Sequence, residues 1–529
     1  FFSAPMTGAA TQWPPGPTKA QAKALDLFDI ATFEQLHEQY GDVFILPLGE
    51  VPLVVTRHPK QISSILVELG DTHDFPRPPN VIANVQTLFG RALIGLDGEE
   101  HSKARTALNP HFFAPASLRR MHAQAAPVVA ELVDKLGEVA GAGAVETYFF
   151  EELLSIELVG VLNLGHRFNG IKAGQYPLVL QSLRLVDRLF LGRAMNNKWR
   201  EQEKETDTMA FDVSKGVLAA CFQASLDGAK TEAGKERTDS AALIWRDQKL
   251  TETEMVNQLT GFMAGVGNSA RGYTDCVAML CEHPQYQERI LAELHQVFTG
   301  LAPEAAAAAA RRGDAVVLGD TVDPEEFTFD RCQQLEFVQC FISECLRVLS
   351  PSTSTAPRYC PKEAEIGGYT IPPETKVLIN IWGSHYHPEA FSDPFKFDPD
   401  RWNASPEGPA AKLKSNPIGY YPFGFGGHRC LGQRVALNNI VLHVAMLVGK
   451  YQVAFAETQK RGFAPGCSRW ASKVSSIPWT TKLSEQILGF VEPQAGVHVT
   501  LQRRPASGAA IPRPLGASGD GAEVIVVGT

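Results

Sequence analysis

Ten residues, Phe423 to Gly432, read FGFGGHRCLG and hold four glycines, one thiol (Cys430) and one imidazole (His428), just ahead of a helical pattern. A glycine-rich loop usually serves phosphate, so that chemistry is tested first. A Walker-type loop needs G-x-x-x-x-G-K-[ST], and this stretch has neither the lysine nor the hydroxyl residue. The dinucleotide fingerprint G-x-G-x-x-G fails too, because Arg429 stands three residues beyond Gly426. What remains is a thiol in a tight loop at a helix start. Backbone N–H groups and the positive end of the helix favour thiolate there. A thiolate is a strong ligand for haem iron and pushes electron density toward a bound O–O group. The competing reading is a buried structural cysteine, and it is kept for the other eight cysteines of the nine.

The spacing F-x-x-G-x-[RH]-x-C-x-G, met by Phe423, Gly426, His428, Cys430 and Gly432, resembles the haem-binding signature of the cytochrome P-450 family, with His where Arg is commoner. The resemblance implies haem b (iron protoporphyrin IX) with Cys430 as the axial iron ligand. It also implies Phe423 against the sulfur, Gly426 and Gly432 in the cradle, and His428 donating to a propionate.

Other stretches are similar to the same family. ISECLRVLSP carries Glu344-x-x-Arg347, three apart on one helix face and able to pair. FDPDRW supplies Arg401. The resemblance joins the three into a buried structural cluster, since a buried carboxylate without partners is very costly. APRYC places Arg358 where the family binds a propionate, and the planar guanidinium fork suits a carboxylate. In GEEHSKARTALNP, His101 and Arg105 lie one helical turn apart where the family has W-x-x-x-R, and both side chains can donate to a propionate.

The helix that would cross the haem face departs from the family pattern A-G-x-[DE]-T-[TS]. This chain has AGVGNS, Ala264 to Ser269. Ala264, Gly265 and Gly267 interrupt an apolar stripe, and each mid-helix glycine costs about 1 kcal/mol against alanine. That cost suggests room for a flat ligand or a locally opened helix. Close helix packing is the alternative. Gly267 replaces the acid and Asn268 the threonine, and neither is a conventional acid at neutral pH. Two readings stay open. In one, Asn268 and Ser269 hold water that relays protons, and the protein is a monooxygenase taking electrons from NADPH through a reductase or ferredoxin. In the other, oxygen is not activated, and the haem isomerises or dehydrates lipid peroxides as in the prostacyclin synthase or allene oxide synthase type. A haem sensor or carrier without turnover is a third class.

The whole 529-residue chain is 44% hydrophobic and 20% charged, with net charge −9 and no long basic run, so nucleic acid is not an expected partner. Scattered cysteines without C-x-x-C suggest a reducing compartment. QWPPGPTKA reads as a stiff connector ending near residue 20. It suits a membrane-associated enzyme on the cytosolic face of the endoplasmic reticulum, with a plastid as the alternative. DVFILPLGEVPLVV predicts two short strands and EIGGYTIPPETKVLIN a hairpin turning at Gly-Gly. A capping box, Thr251 with Glu254, opens a helix whose stripe runs Met255, Leu259, Phe262, Val266, Ala270, Tyr273, Val277, Leu280 and stops before Pro284. Further helices follow near 332–349 and after Gly432. APEAAAAAARRG reads as a surface insertion, 458–493 as a longer-than-usual region, and the tail after 505 as disordered. Helices outnumber strands without β–α alternation. The expected fold is therefore mainly α with small β-sheets, one haem domain over 21–504. By analogy its pocket draws on 75–96, on the apolar helix around Leu178–Phe190 and on Ser352–Ala356, for a lipophilic substrate such as a sterol, fatty acid or isoprenoid.

Overall fold

The computed structural model describes residues 13–25, 30–48, 52–68, 75–195, 205–317, 320–403, 419–459, 479–483, 489–493 and 496–505. Short, almost wholly apolar runs make β1 (Val43–Leu46) and β2 (Leu53–Thr56), antiparallel with Val43 opposite Thr56. Beside β2 runs β7 (Thr375–Ile379), in parallel, and β4 (Arg358–Cys360) closes the sheet antiparallel to β7. β5 (Ala364–Ile366) and β6 (Tyr369–Ile371) form the hairpin read from the sequence, turning at Gly367 and Gly368, both at positive φ. A second sheet joins β3 (Val145–Glu146), β11 (His498–Arg503) and β8 (Tyr451–Phe455), and β9 (Trp479–Leu483) pairs with β10 (Gly489–Pro493). The tail after 505 and most of 460–495 lie outside the described residues.

The helices that position the site are numbered in chain order: α1 Pro79–Phe89, α2 Gly98–Phe113, α3 Pro115–Ala140, α4 Thr147–Val159, α5 Leu178–Met195, α6 Glu205–Ala229, α7 Glu252–Gly261, α8 Gly265–Glu282, α9 Pro284–Thr299, α10 Pro303–Arg312, α11 Glu336–Val348 and α12 Gln433–Lys450. The Thr251 capping box is present as read. Of the stripe behind it, all but the half-buried Phe262 are buried, and all of those but Ala270 belong to one core that also takes in α3, α4, α11 and α12. The single helix expected from Thr251 is two, α7 and α8, joined by a tighter 3₁₀ turn at Phe262–Ala264. Pro284 ends α8 and also opens α9 at its first turn, where a missing N–H costs nothing.

One expectation is refined and one corrected. The alanine run is at the surface but is not a loose insert: it forms α10, exposed at Pro303, Glu304, Ala305, Arg311 and Arg312, with Ala306, Ala309 and Ala310 buried against α9. Alanine's high helix propensity and small size allow that close approach. The proline stretch does not stand off as a free connector over its described part. Pro14 and Pro17 are buried, Trp13 packs on the sheet's core, and the Pro15 carbonyl accepts from Ile45 N at 3.0 Å.

One buried histidine ties the sheet to the site. His385 ends the short helix Ile381–His385, which follows β7. Its Nδ1 lies 3.1 Å from the Arg347 carbonyl, and its Nε2 accepts from Tyr421 N at 2.9 Å. Those partners require the neutral tautomer with hydrogen on Nδ1. Burial first, then the Arg347 charge, hold its pKa down to about 3, against an ordinary 6.5. A lowered folded-state value means the unfolded chain binds the extra proton. The stability is complete above about pH 6.5 and is lost as pH falls from there toward 3. Between pH 7 and pH 5 this residue should withdraw roughly 2 kcal/mol. The thermal midpoint should fall over that range, and His385→Gln should flatten the fall whatever its own cost.

Candidate active site

The glycine loop gets its shape from its own backbone. Gly424 N donates to the Tyr421 carbonyl and Cys430 N to the Phe423 carbonyl, both at 2.9 Å, closing a tight turn. Gly424 and Gly426 hold φ of +68°, which a side chain would strain. α12 starts directly behind, with Ala436 N donating to Gly432 O at 2.8 Å. The Cys430 thiol opens into a cavity of 430 Å³ while the protein closes around it elsewhere. Burial pushes this thiol's pKa up, against the opposing pull of the Gly432 and Gln433 amides and of Arg105.

One end of the cavity is cationic. Arg77, His101, Arg105, Arg358 and His428 all line it. The His101 and His428 rings lie 3.9 Å apart, and Arg105 Nη1 donates to the Arg429 carbonyl at 2.6 Å. Asp97 caps α2, accepts from Arg77 N at 2.7 Å and pairs with His428 Nε2 at 3.0 Å. Burial works against Asp97's charge, but the His428 and Arg77 bonds hold its carboxyl well below the usual range. His101 is held down to about 3 by burial, then by His428, Arg77 and Arg105. Arg358 falls to about 10 through burial and the Arg77 charge, and its Nε has no hydrogen-bond partner among the described residues. Three guanidiniums thus face one carboxylate in a sheltered place, a donor set that fits further carboxylates such as the propionates of a haem. Sequence reading missed Arg77 and Asp97. Asp97 was legible only as a helix cap, and its pairing with His428 spans 331 residues.

Opposite the loop lies the start of α8. A Cβ on Gly265 would meet nothing within 4 Å, and Ala264, Gly265, Asn268 and Ser269 line the cavity. Asn268 Oδ1 is buried with no hydrogen-bond partner among the described residues. Gly267 is not among the lining residues. A Cβ there would meet Arg271 Nη1 at 3.2 Å instead. Among the described residues no Asp or Glu lines the cavity. Apolar walls come from Val81, Ile82, Val85, Leu93 and Ile94 within the expected 75–96, and Ser352, Ser354, Thr355 and Ala356 also contribute as expected. The helix around Leu178–Phe190 contributes no described side chain, a correction. Val179, Leu180, Leu183 and Val186 go into the main core, where α5 packs on α6.

Behind the loop, Glu344 accepts from Arg347 Nε at 2.9 Å and Nη2 at 2.8 Å, from Arg401 Nε at 3.0 Å, from Trp402 Nε1 at 2.8 Å and from Asp398 N at 2.9 Å. The remaining guanidinium donors reach backbone carbonyls, among them Pro394 and Ser392. Arg347, Glu344 and Arg401 are therefore brought together as expected, with Trp402 as an unforeseen fourth member.

A thiol lining a largely apolar cavity together with the Arg77, Arg105 and Arg358 guanidiniums, carried on this helical fold, defines a haem-thiolate protein. The family model for Cytochrome P450 matches residues 28–466. Relatives include a putative cytochrome P450 CYP13A4 of Caenorhabditis elegans, 24% identical and covering 78% of this chain and 82% of that one. Another is the cyclooctat-9-en-7-ol 5-monooxygenase of Streptomyces melanosporofaciens, also 24% identical, covering 78% and 83%. Solved structures with the same fold include the cytochrome P450DA haem domain (TM-score 0.74, 18% identity, 94% and 98% covered) and retinoic acid bound cyanobacterial CYP120A1 (TM-score 0.69, 17% identity, 93% and 100% covered). The chain belongs to the cytochrome P450 family, and its activity class is that of an oxidoreductase, a haem-thiolate monooxygenase.

Proposed function

We propose that this chain inserts one oxygen atom from O₂ into a lipophilic small molecule of the sterol, fatty-acid or isoprenoid kind, with electrons from NADPH through a reductase or ferredoxin. The observation that carries this reading is the Cys430 thiol at the floor of a cavity that is apolar on one side and cationic on the other. Haem bound there supplies the oxygen binding and redox chemistry. The chain's own residues do the rest. Cys430 would hold the haem iron through sulfur, in a cradle shaped by Phe423 and the glycines at 426 and 432. Arg105, Arg358, His101 and His428 would bind its propionates, with Arg77 beside them. Ala264 and Gly265 leave room for the flat face. Asn268, with its unpartnered Oδ1, and Ser269 hold water at the oxygen side. Apolar walls exclude bulk water and favour a hydrocarbon-rich substrate. The Streptomyces relative named for cyclooctat-9-en-7-ol and the neighbour bound to retinoic acid support that class.

A second reading has one observation in its favour. With Gly267 turned away and no acid on the wall, the cavity suits isomerisation or dehydration of lipid peroxides, which needs no proton delivery to oxygen. An oxygen electrode separates the two. The monooxygenase reading expects reductase- and NADPH-dependent oxygen uptake. Consumption of a fatty-acid hydroperoxide without NADPH, and no uptake with it, would reverse the choice. No described helix is long and apolar enough to cross a membrane.

A further inference from the structure

An acid stands just behind the acid-free wall. Glu152 lies on α4, which packs along α8, and is 6% exposed. Its Oε2 accepts from Tyr176 OH at 2.8 Å and from Arg184 Nη1, which also donates to Tyr176 OH at 2.6 Å. The Arg184 side chain is 48% exposed, so this end meets solvent. Arg271 of α8 is near enough for its opposite charge to act on Glu152. Arg271 is one turn from Gly267, and its Nη1 occupies the notch that a side chain at 267 would fill. Asn268, the next residue, opens into the cavity.

We propose that Glu152, recharged from solvent past Arg184 and Tyr176, supplies protons to the Asn268 end of the cavity, with Arg271 as the positioning residue in the Gly267 notch. The proposal rests on the monooxygenase reading. The carboxyl O–H of Glu152 breaks, and its proton passes through water along the notch to water held by Asn268. The carboxylate left behind is stabilised by Arg271 and Arg184, and a proton from bulk water restores the acid. Burial is the largest influence on Glu152 and raises its pKa, against the opposing pull of Arg184, the Tyr176 hydroxyl and Arg271, which favours holding a proton on this carboxyl more than on an exposed one. Arg271 keeps its charge and serves as a donor to water, not as a carrier. The plain alternative is a brace that ties α4 to α5.

Glu152→Gln separates these. A brace predicts lower stability with an unchanged ratio of product to NADPH consumed. The relay predicts that this ratio falls, on the order of 10²-fold for a lost proton donor, with hydrogen peroxide released instead. The carbon monoxide spectrum should stay that of the parent. Gly267→Asp added to Glu152→Gln should recover coupling, because it puts a carboxyl back in the notch. In the infrared, the resting protein should show a protonated-carboxyl band that titrates and that Glu152→Gln lacks. If Glu152→Gln does not fold, Tyr176→Phe removes the outer link alone and should lower the same ratio. An unchanged ratio, or no such band, overturns the relay and leaves the monooxygenase reading standing. A parent protein without reductase-driven oxygen uptake overturns both, and that is read without any variant.

Discussion

Cys430→Ala should erase the absorption band that marks carbon monoxide on thiolate-ligated iron and take reductase-driven oxygen uptake to background. Among the described residues no other cysteine lines the cavity, so no second thiol can substitute. The loop itself should survive. Its closing bonds are backbone to backbone, Cys430 N to Phe423 O and Gly424 N to Tyr421 O, and alanine keeps both. The cationic rim is also intact, so pigment can still be retained through Arg105 and Arg358 while the ligand is gone. That separates the prediction from simple unfolding: the variant should be coloured yet spectrally altered. Cys430→Ser should behave similarly, since a hydroxyl in the same apolar surroundings gives up its proton far less readily than a thiol. A thiolate-type spectrum persisting in Cys430→Ala would mean that another group holds the iron, and the roles of the whole loop would have to be reassigned.

The fold was legible where a local rule sufficed. The Thr251–Glu254 pair fixed the start of α7, and the stripe from Met255 to Leu280 fixed the buried face through α8. Periodicity states which face is buried but not against what. For that reason Leu178–Phe190 was assigned to the pocket although Val179, Leu180, Leu183 and Val186 pack in the core, and Ala302–Gly313 was left on the surface although one face of α10 packs on α9. The site divides in the same way. Glu344 with Arg347 is a local pair, and Cys430 sits in a fixed local pattern. Asp97 with His428, and Gly267 with Arg271 in its notch, depend on how helices meet or which way a bare backbone turns. A glycine carries no side chain from which direction could be read. Substituting Gly for an acid looked like a simple loss, and only packing shows that a neighbouring cation has moved into the space.

Glu344→Gln should be the most damaging conservative change in the chain. The carboxylate takes five donors, including two on Arg347 and one on Arg401, whose side chains are 0% and 9% exposed. An amide keeps the size but loses the charge, and it brings its own N–H groups against the guanidiniums. Breaking a buried pair by removing one partner costs about 3–5 kcal/mol, a large share of the roughly 5–15 kcal/mol that holds a typical protein folded. Arg347→Leu should cost similarly by leaving Glu344 uncompensated. Replacing Glu344, Arg347 and Arg401 together with apolar residues of similar volume should cost much less than the sum, because no buried charge is then left alone. Denaturant midpoints followed by tryptophan fluorescence provide the check, as the Trp402 indole is itself bonded to the carboxylate. The damage should reach the iron site. The Arg347 carbonyl holds His385, His385 holds Tyr421 N, and the Tyr421 carbonyl holds Gly424 N. Haem retention in Glu344→Gln should therefore fall along with the denaturant midpoint, although the residue lines no part of the cavity. A variant that loses the midpoint yet keeps its haem and thiolate spectrum would show that the loop stands without the cluster.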